Sequence, residues 1–214
     1  MRFSPDGRTV YYSAAYGDGP SQIYVTELDR TESKLLAELP SGFLMGVSAK
    51  GELAVLLTDK RLPYNSPGIL ARVPAIGGTP RPLMEDVSYA DWASDGERIA
   101  VVRDGGRCEF LNGPTIKESA CGMLRLSPVN DDVALTMFGG IEIQTSAGKR
   151  LAQARMPLIF GLAWSRDGRE VWFTGSETGA AHDRAMYTLS LDGTRRLAAR
   201  VPGALTIFDV GPDG

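Results

Sequence analysis

The chain has 214 residues, a formal net charge of −3, 25 glycines and 13 prolines. Its Lys and Arg residues are scattered, so it carries no electrostatic footprint for nucleic acid, and no apolar run approaches the roughly 18 to 20 residues that span a membrane as a helix. Abundant glycine and proline without a long apolar stretch of helical period describe many short strands joined by tight turns, so the expected class is all-β.

A short phrase punctuates the chain. It opens as Phe3-Ser4-Pro5-Asp6-Gly7 and returns as Val47-Ser48-Ala49-Lys50-Gly51, Trp92-Ala93-Ser94-Asp95-Gly96, Leu126-Ser127-Pro128-Val129-Asn130 and Trp164-Ser165-Arg166-Asp167-Gly168, with a last copy at Val210-Gly211-Pro212-Asp213-Gly214. Pro at the second turn position fixes φ, Asp or Ser bonds back to the backbone, and Gly takes a positive φ without steric cost. Each phrase is therefore read as a reversal between two strands, and Asn130 as the substitute for glycine in the fourth copy. Copies recur at intervals of 34 to 46 residues, close to the roughly 40 to 45 of a four-stranded propeller blade.

After each phrase comes a β-branched or aromatic run: Thr9–Ser13, Leu53–Leu57, Ile99–Val102, Val133–Met137 and Val171–Thr174. Both faces of these runs are apolar in places, as in strands buried on two sides. A Gly-rich hairpin follows (Tyr16–Gly19, Asp104–Gly106, Gly139–Gly140, Glu177–Gly179), replaced in the second repeat by the Pro-containing loop Lys60–Pro67. Third strands are read at Ile23–Thr26, Leu70–Val73, Glu109–Leu111, Ile141–Ile143 and Met186–Leu189. Short basic outer strands follow at Lys34–Leu36, Arg81–Leu83, Arg150–Leu151 and Arg196–Leu197, where Pro82 and the cations suit an exposed edge. Innermost strands are expected just before each phrase, at Phe43–Gly46, Tyr89–Asp91, Gly122–Arg125, Phe160–Ala163 and Thr206–Asp209. The first phrase, preceded only by Met1 and Arg2, is expected to have none.

The expected fold is a single β-propeller domain over 1–214, of four-stranded antiparallel blades. About five blades are expected, at approximately 1–42, 43–88, 89–121, 122–159 and 160–203, with 204–214 a partial or closing strand. Of the two arrangements, a ring closed by the 204–210 strand or a fragment of a larger ring, the second is favoured, because the sequence begins and stops within a repeat. The N-terminus has no hydrophobic signal region.

The pattern aromatic-Ser-Pro-Asp-Gly, then a β-rich run, then Ile23-Tyr24-Val25-Thr26-Glu27-Leu28-Asp29, then a basic residue and Leu, resembles the WD40-like repeat of TolB-type propellers over nearly the whole chain. The second repeat departs from it, with Lys50 for Asp. The stretches Glu85–Trp92, Gly161–Thr174 and Arg196–Gly203 are also similar to the C-terminal propellers of bacterial serine/threonine protein kinases. That resemblance implies a sensory or protein-interaction role, extracytoplasmic if attached to a membrane kinase. Kinase activity itself is not implied, since the chain has no Gly-rich phosphate loop, His-Arg-Asp loop or Asp-Phe-Gly.

The residue before each phrase reads Arg2, Gly46, Asp91, Arg125, Ala163 and Asp209. With inner strands in register, Arg2, Asp91, Arg125 and Asp209 ring a central channel. One reading is a site for a small ligand or peptide end, Arg125 gripping a carboxylate and Asp91 or Asp209 an amine. The other is a ring of internal salt bridges, and it is favoured. The phrase aspartates Asp6, Asp95, Asp167 and Asp213 are read as turn formers, Asn130-Asp131-Asp132 as a solvated turn rather than a calcium loop, and Trp92, Trp164 and Trp172 as core. His182 stands alone, so neither a histidine metal site nor a Ser-His hydrolase is expected. Cys108 and Cys121 are read as ordinary thiols, with a disulfide as the alternative in an oxidising compartment.

Function is accordingly read as a non-catalytic binding or sensor module. It takes a protein or peptide partner, or a small ligand at the channel, with no cofactor, no metal, no nucleic acid and no membrane contact of its own. The alternatives are the gating propeller of a prolyl-oligopeptidase-like peptidase and a stand-alone metal-dependent propeller hydrolase.

Overall fold

The computed structural model describes residues 1–36, 39, 41–58, 66–201 and 203–211, within which the chain forms nineteen strands and no helix. The loop expected at Lys60–Pro67 lies largely outside the described residues, as do Pro212, Asp213 and Gly214. The chain divides into two compact units, Met1–Asp104 and Gly105–Gly214.

In the first unit, β1 (Arg2–Phe3), β2 (Thr9–Ala14), β3 (Gln22–Glu27) and β4 (Lys34–Leu35) make one antiparallel sheet in that order. Next come β5 (Gly42–Val47), β6 (Glu52–Leu57), β7 (Gly68–Pro74), β8 (Arg81–Trp92) and β9 (Ile99–Arg103), again antiparallel and in sequence order. The second unit holds the hairpin β10 (Cys108–Phe110) and β11 (Thr115–Lys117), and two four-stranded antiparallel sheets. These are β12 (Leu124–Leu126), β13 (Val133–Met137), β14 (Gly140–Gln144) and β15 (Arg150–Arg155), then β16 (Leu158–Trp164), β17 (Glu170–Ser176), β18 (Ala185–Ser190) and β19 (Arg195–Arg200). Four strands wound as consecutive hairpins are a propeller blade. The protein is an all-β propeller of four-stranded antiparallel blades, four to five of them within this chain.

The phrases are turns. Gly7, Gly51, Gly96 and Gly168 sit at φ of 68 to 75°, and each donates its N–H to the carbonyl three residues earlier at 2.9 to 3.1 Å. The fourth copy departs from expectation. Asn130 is not in the left-handed region; its Oδ1 accepts the Asp132 N–H at 2.9 Å, so it takes the side-chain role that Asp plays elsewhere. In the second copy Ser48 Oγ does this work, accepting from Lys50 and Glu52 at 3.1 Å each. The strands that follow are buried on both faces: Leu53, Ala54, Val55 and Leu56 are 0 to 1% exposed. In the first unit Tyr11, Ile23 and Leu36 pack with Leu44, Leu53, Val55 and Val73. In the second, Phe173 stacks on Tyr187 at 5.5 Å.

Four further expectations are corrected. First, Arg2 and Phe3 do form an innermost strand, pairing with Tyr11 and Val10. Second, Arg81–Leu83 and Tyr89–Asp91 belong to one strand, β8, whose first half pairs with β7 and second half with β9, across the expected boundary at 88/89. The switch is made at Asp86, at φ 57°, and at a bulge between Val87 and Tyr89; aspartate tolerates the left-handed region because its side chain bonds locally. Third, residues 204–210 join no ladder among the described residues. The Ile207 N–H goes to the Thr174 hydroxyl at 3.3 Å instead of to a strand carbonyl. Fourth, Cys108 and Cys121 are joined as a disulfide, not left as thiols. The return of β11 alongside β10, with the Cys121 N–H on the Gly106 carbonyl at 2.9 Å, brings their Cα atoms to 6.2 Å.

Candidate functional site

Turn geometry accounts for the phrase aspartates. Asp6 Oδ1 accepts from the Ser4 hydroxyl at 2.6 Å and the Arg8 N–H at 3.1 Å, which hold its carboxyl below the ordinary value. The Ser165 hydroxyl and the Arg169 N–H do the same for Asp167. At Asp95, burial works upward, but the Glu97 and Arg98 N–H groups and the Arg98 guanidinium outweigh it and bring the carboxyl down to about 2. Carboxylates held below their ordinary value by bonds within their own turns are poor proton carriers near neutral pH. Asp213 lies outside the described residues.

The four charges beside the phrases are all embedded in their own units. In the first unit Arg2 is 3% exposed, and its guanidinium donates to the Met45 carbonyl at 2.8 Å, the Met1 carbonyl at 3.1 Å and the Tyr89 hydroxyl at 3.1 Å. Asp91 is 6% exposed and lies against Gly46, where a Cβ would stand 3.0 Å from its Oδ1. Met45 and Gly46 sit at a bulge in β5, which turns the Met45 carbonyl to Arg2. In the second unit Arg125 Nη2 meets Asp209 Oδ1 at 3.3 Å, with side chains 10% and 18% exposed. The Arg125 carbonyl accepts from the buried Trp164 indole at 2.9 Å. Arg125 is thus fixed at its backbone by the next inner strand and at its head by the segment after that.

One regularity in the sequence escapes a position-by-position reading. Down the six positions the order is Arg, small, Asp, then Arg, small, Asp again. Gly46 and Ala163 are the small members, and in the second unit the guanidinium and carboxylate on either side of Ala163 form the ion pair. Trp164, read from the sequence as core, is a further participant, as are Tyr89 and Arg184, to which the sequence reading gave no role. Arg184 stacks on Phe160 at 3.6 Å and donates to Thr206 Oγ1 at 3.1 Å. Among the described residues no group of three or more His, Cys, Asp or Glu is placed to hold a metal ion.

No protein-family model and no curated protein matches the chain. Solved structures do. TolB from Acinetobacter baumannii is similar with a TM-score of 0.74 at 16% identity, over 95% of this chain and 54% of TolB. Hydrazine synthase from Kuenenia stuttgartiensis is similar at 0.61 and 12% identity, over 94% of this chain and 64% of that one. A prolyl endopeptidase is similar at 0.57 and 15% identity, over 95% of this chain and 35% of that one. Identities this low show the fold, a TolB-like β-propeller, and the chain spans about half the length of the TolB it matches.

Proposed function

We propose that this chain is a non-catalytic propeller that binds a protein or peptide partner, or a small ligand, as the sensor or interaction part of a larger bacterial signalling protein. The observation that supports this most is the engagement of its conspicuous charges. The phrase aspartates are bound within their turns, and Arg125 is ion-paired with Asp209, so these groups organise the scaffold instead of standing ready for proton transfer. Propellers present recognition surfaces on such scaffolds through loops and inner strand ends. The Cys108–Cys121 disulfide supports an oxidising, extracytoplasmic compartment for that role. The test uses the purified chain against panels of peptide, ester and lactone substrates, and against a peptide and metabolite library read by thermal stabilisation. Saturable stabilisation without turnover is the expected result; turnover that follows the purified chain through successive columns would overturn the reading.

A further inference from the structure

In the second unit, the turn between β13 and β14 carries an aromatic ring that the fold does not use. Met137 pairs with Gly140, so the turn consists of Phe138 and Gly139. Gly139 takes the positive φ, 80°, and Phe138 does not, so the backbone sets no requirement on the side chain at 138. The Phe138 ring is fully exposed. The sheet behind it is packed by the chain itself. Lys117 of β11 meets Glu142 of β14 at 3.1 Å, Gln144 donates to the Ile116 carbonyl at 3.3 Å, and Trp164 of β16 bonds to β12. The exposure therefore belongs to a turn tip and not to a bare sheet face. Two more apolar residues lie beside this tip. The Met156 N–H donates to the Gly139 carbonyl at 3.0 Å, which brings the β15–β16 connection alongside the turn. That connection exposes Pro157 and Leu158. Arg155, opposite Gly140 in the ladder, is exposed and makes no ion pair among the described residues. The carboxylates of the neighbouring β17–β18 hairpin are engaged elsewhere, Glu177 by Arg195 at 2.6 Å and Asp183 by Arg200 at 3.2 Å. Arg195 also donates to the Arg155 carbonyl at 3.1 Å and so fixes that strand end. This edge presents apolar surface beside one uncommitted cation.

We propose that Phe138, Pro157, Leu158 and Arg155 form a protein-docking surface, and that its partner is an acidic, apolar segment of another protein. Apolar side chains of the partner cover Phe138, Pro157 and Leu158 while a carboxylate meets Arg155. The inference rests on the binding role proposed above and names its surface and partner class. A single exposed ring is ordinary on a protein surface, but here three apolar side chains adjoin one unpaired guanidinium. Aromatic rings and arginines are the side chains that protein interfaces concentrate at their energetic centres. Covering the phenyl ring gains hydrophobic free energy that folding leaves unused. The guanidinium selects an acidic partner and fixes its register, because a carboxylate pairs with it through directed, charge-assisted hydrogen bonds.

The probe is a phage library of random dodecapeptides, panned on the immobilised full chain and counter-selected on its Phe138→Ser variant. That variant removes a fully exposed side chain, so it keeps the fold. Selected peptides are expected to combine Asp or Glu with Leu, Ile, Phe or Trp. A fluorescein-labelled representative, titrated by anisotropy, is expected to bind about tenfold more weakly to Phe138→Ser and to Arg155→Glu. Its affinity should be unchanged for Ile76→Ser, a comparably exposed apolar turn residue of the first unit. Replacing the peptide's acid by its amide should weaken binding to the parent and leave binding to Arg155→Glu unmoved, a coupling that general stickiness does not produce. A selection without any Phe138-dependent peptide, selected peptides that lack an acidic residue, or equal losses at Phe138→Ser and Ile76→Ser would each overturn the proposal. Phe138-dependent binding to phosphatidylcholine–phosphatidylglycerol vesicles in place of peptides would overturn it too, by making the edge a lipid contact. A failed selection sinks this surface alone, and turnover by the purified chain sinks the non-catalytic reading alone, so the two fail separately.

Discussion

Reducing the Cys108–Cys121 disulfide is the perturbation whose size can be worked out most directly. The bond spans a sequence separation of 13, and closing a loop of that length removes denatured-state entropy worth about 3 kcal/mol at room temperature. In a chain of this size each kcal/mol moves the melting temperature by about 2–4 °C, so the oxidised protein should melt about 6–12 °C above the reduced one. Comparing oxidised and reduced parent keeps both sulfur atoms in place, which matters because Cys108 and Cys121 are 0 and 6% exposed and a serine would bury a hydroxyl. The assay is differential scanning calorimetry with and without reductant, thiol content being measured on the same samples. A Cys108→Ala, Cys121→Ala protein should melt near the reduced parent and ignore the reductant. An oxidised parent melting within a degree of the reduced one would refute the loop-entropy reasoning. Failure to form the bond under air would refute the pairing itself.

Other predictions follow from single contacts. Asp95→Asn removes a carboxylate whose folded pKa of about 2 lies below the ordinary value; because the depressed group stabilises the fold above about pH 4 and loses that contribution as pH falls towards 2, the variant should be weaker by about 1 kcal/mol at pH 7 and level with the parent near pH 2 in urea titrations. That figure already allows for a side chain 37% exposed to water. Trp164→Phe deletes the buried indole bond to the Arg125 carbonyl and should cost about 1–2 kcal/mol by chemical denaturation, while Trp172→Phe, at a position with more access to water, should cost less. Gly161→Val places a side chain on the Ile207 carbonyl, so hydrogen exchange at 204–210 should accelerate while β17 and β18 keep their protection.

How much of this was legible depended on whether the determinants were local. The phrase turns were, because proline, aspartate and glycine act over three to five residues, and Gly7, Gly96 and Gly168 stand where their chemistry puts them. Asn130 misled because asparagine suits both a positive φ and a side-chain bond to the backbone two residues on, and only the fold chooses between them. Strand continuity in β8 was hidden because the outer strand was read only over Arg81–Leu83 and the inner one only over Tyr89–Asp91, while a ladder on each side carries the strand through the residues between them. The disulfide depended on the hairpin register of β10 and β11, which the spacing of two cysteines does not specify. At the candidate site the residues were visible and their pairing was not. Arg125 meets its carboxylate two repeats onward, past Ala163, and a reading that compares neighbouring repeats does not join them.

Strand β8 has a mechanical consequence. Where repeats three and four, and four and five, meet through a loop, repeats two and three share one twelve-residue strand, bonded to β7 along its first part and to β9 along its second. A loop is a hinge, whereas a hydrogen-bonded strand transmits tension. Pulling on one repeat loads the other through the backbone, and neither can detach by flexing a linker. Residues 68–103 should therefore lose amide protection in a single step, with Asp86 the point at which that step begins.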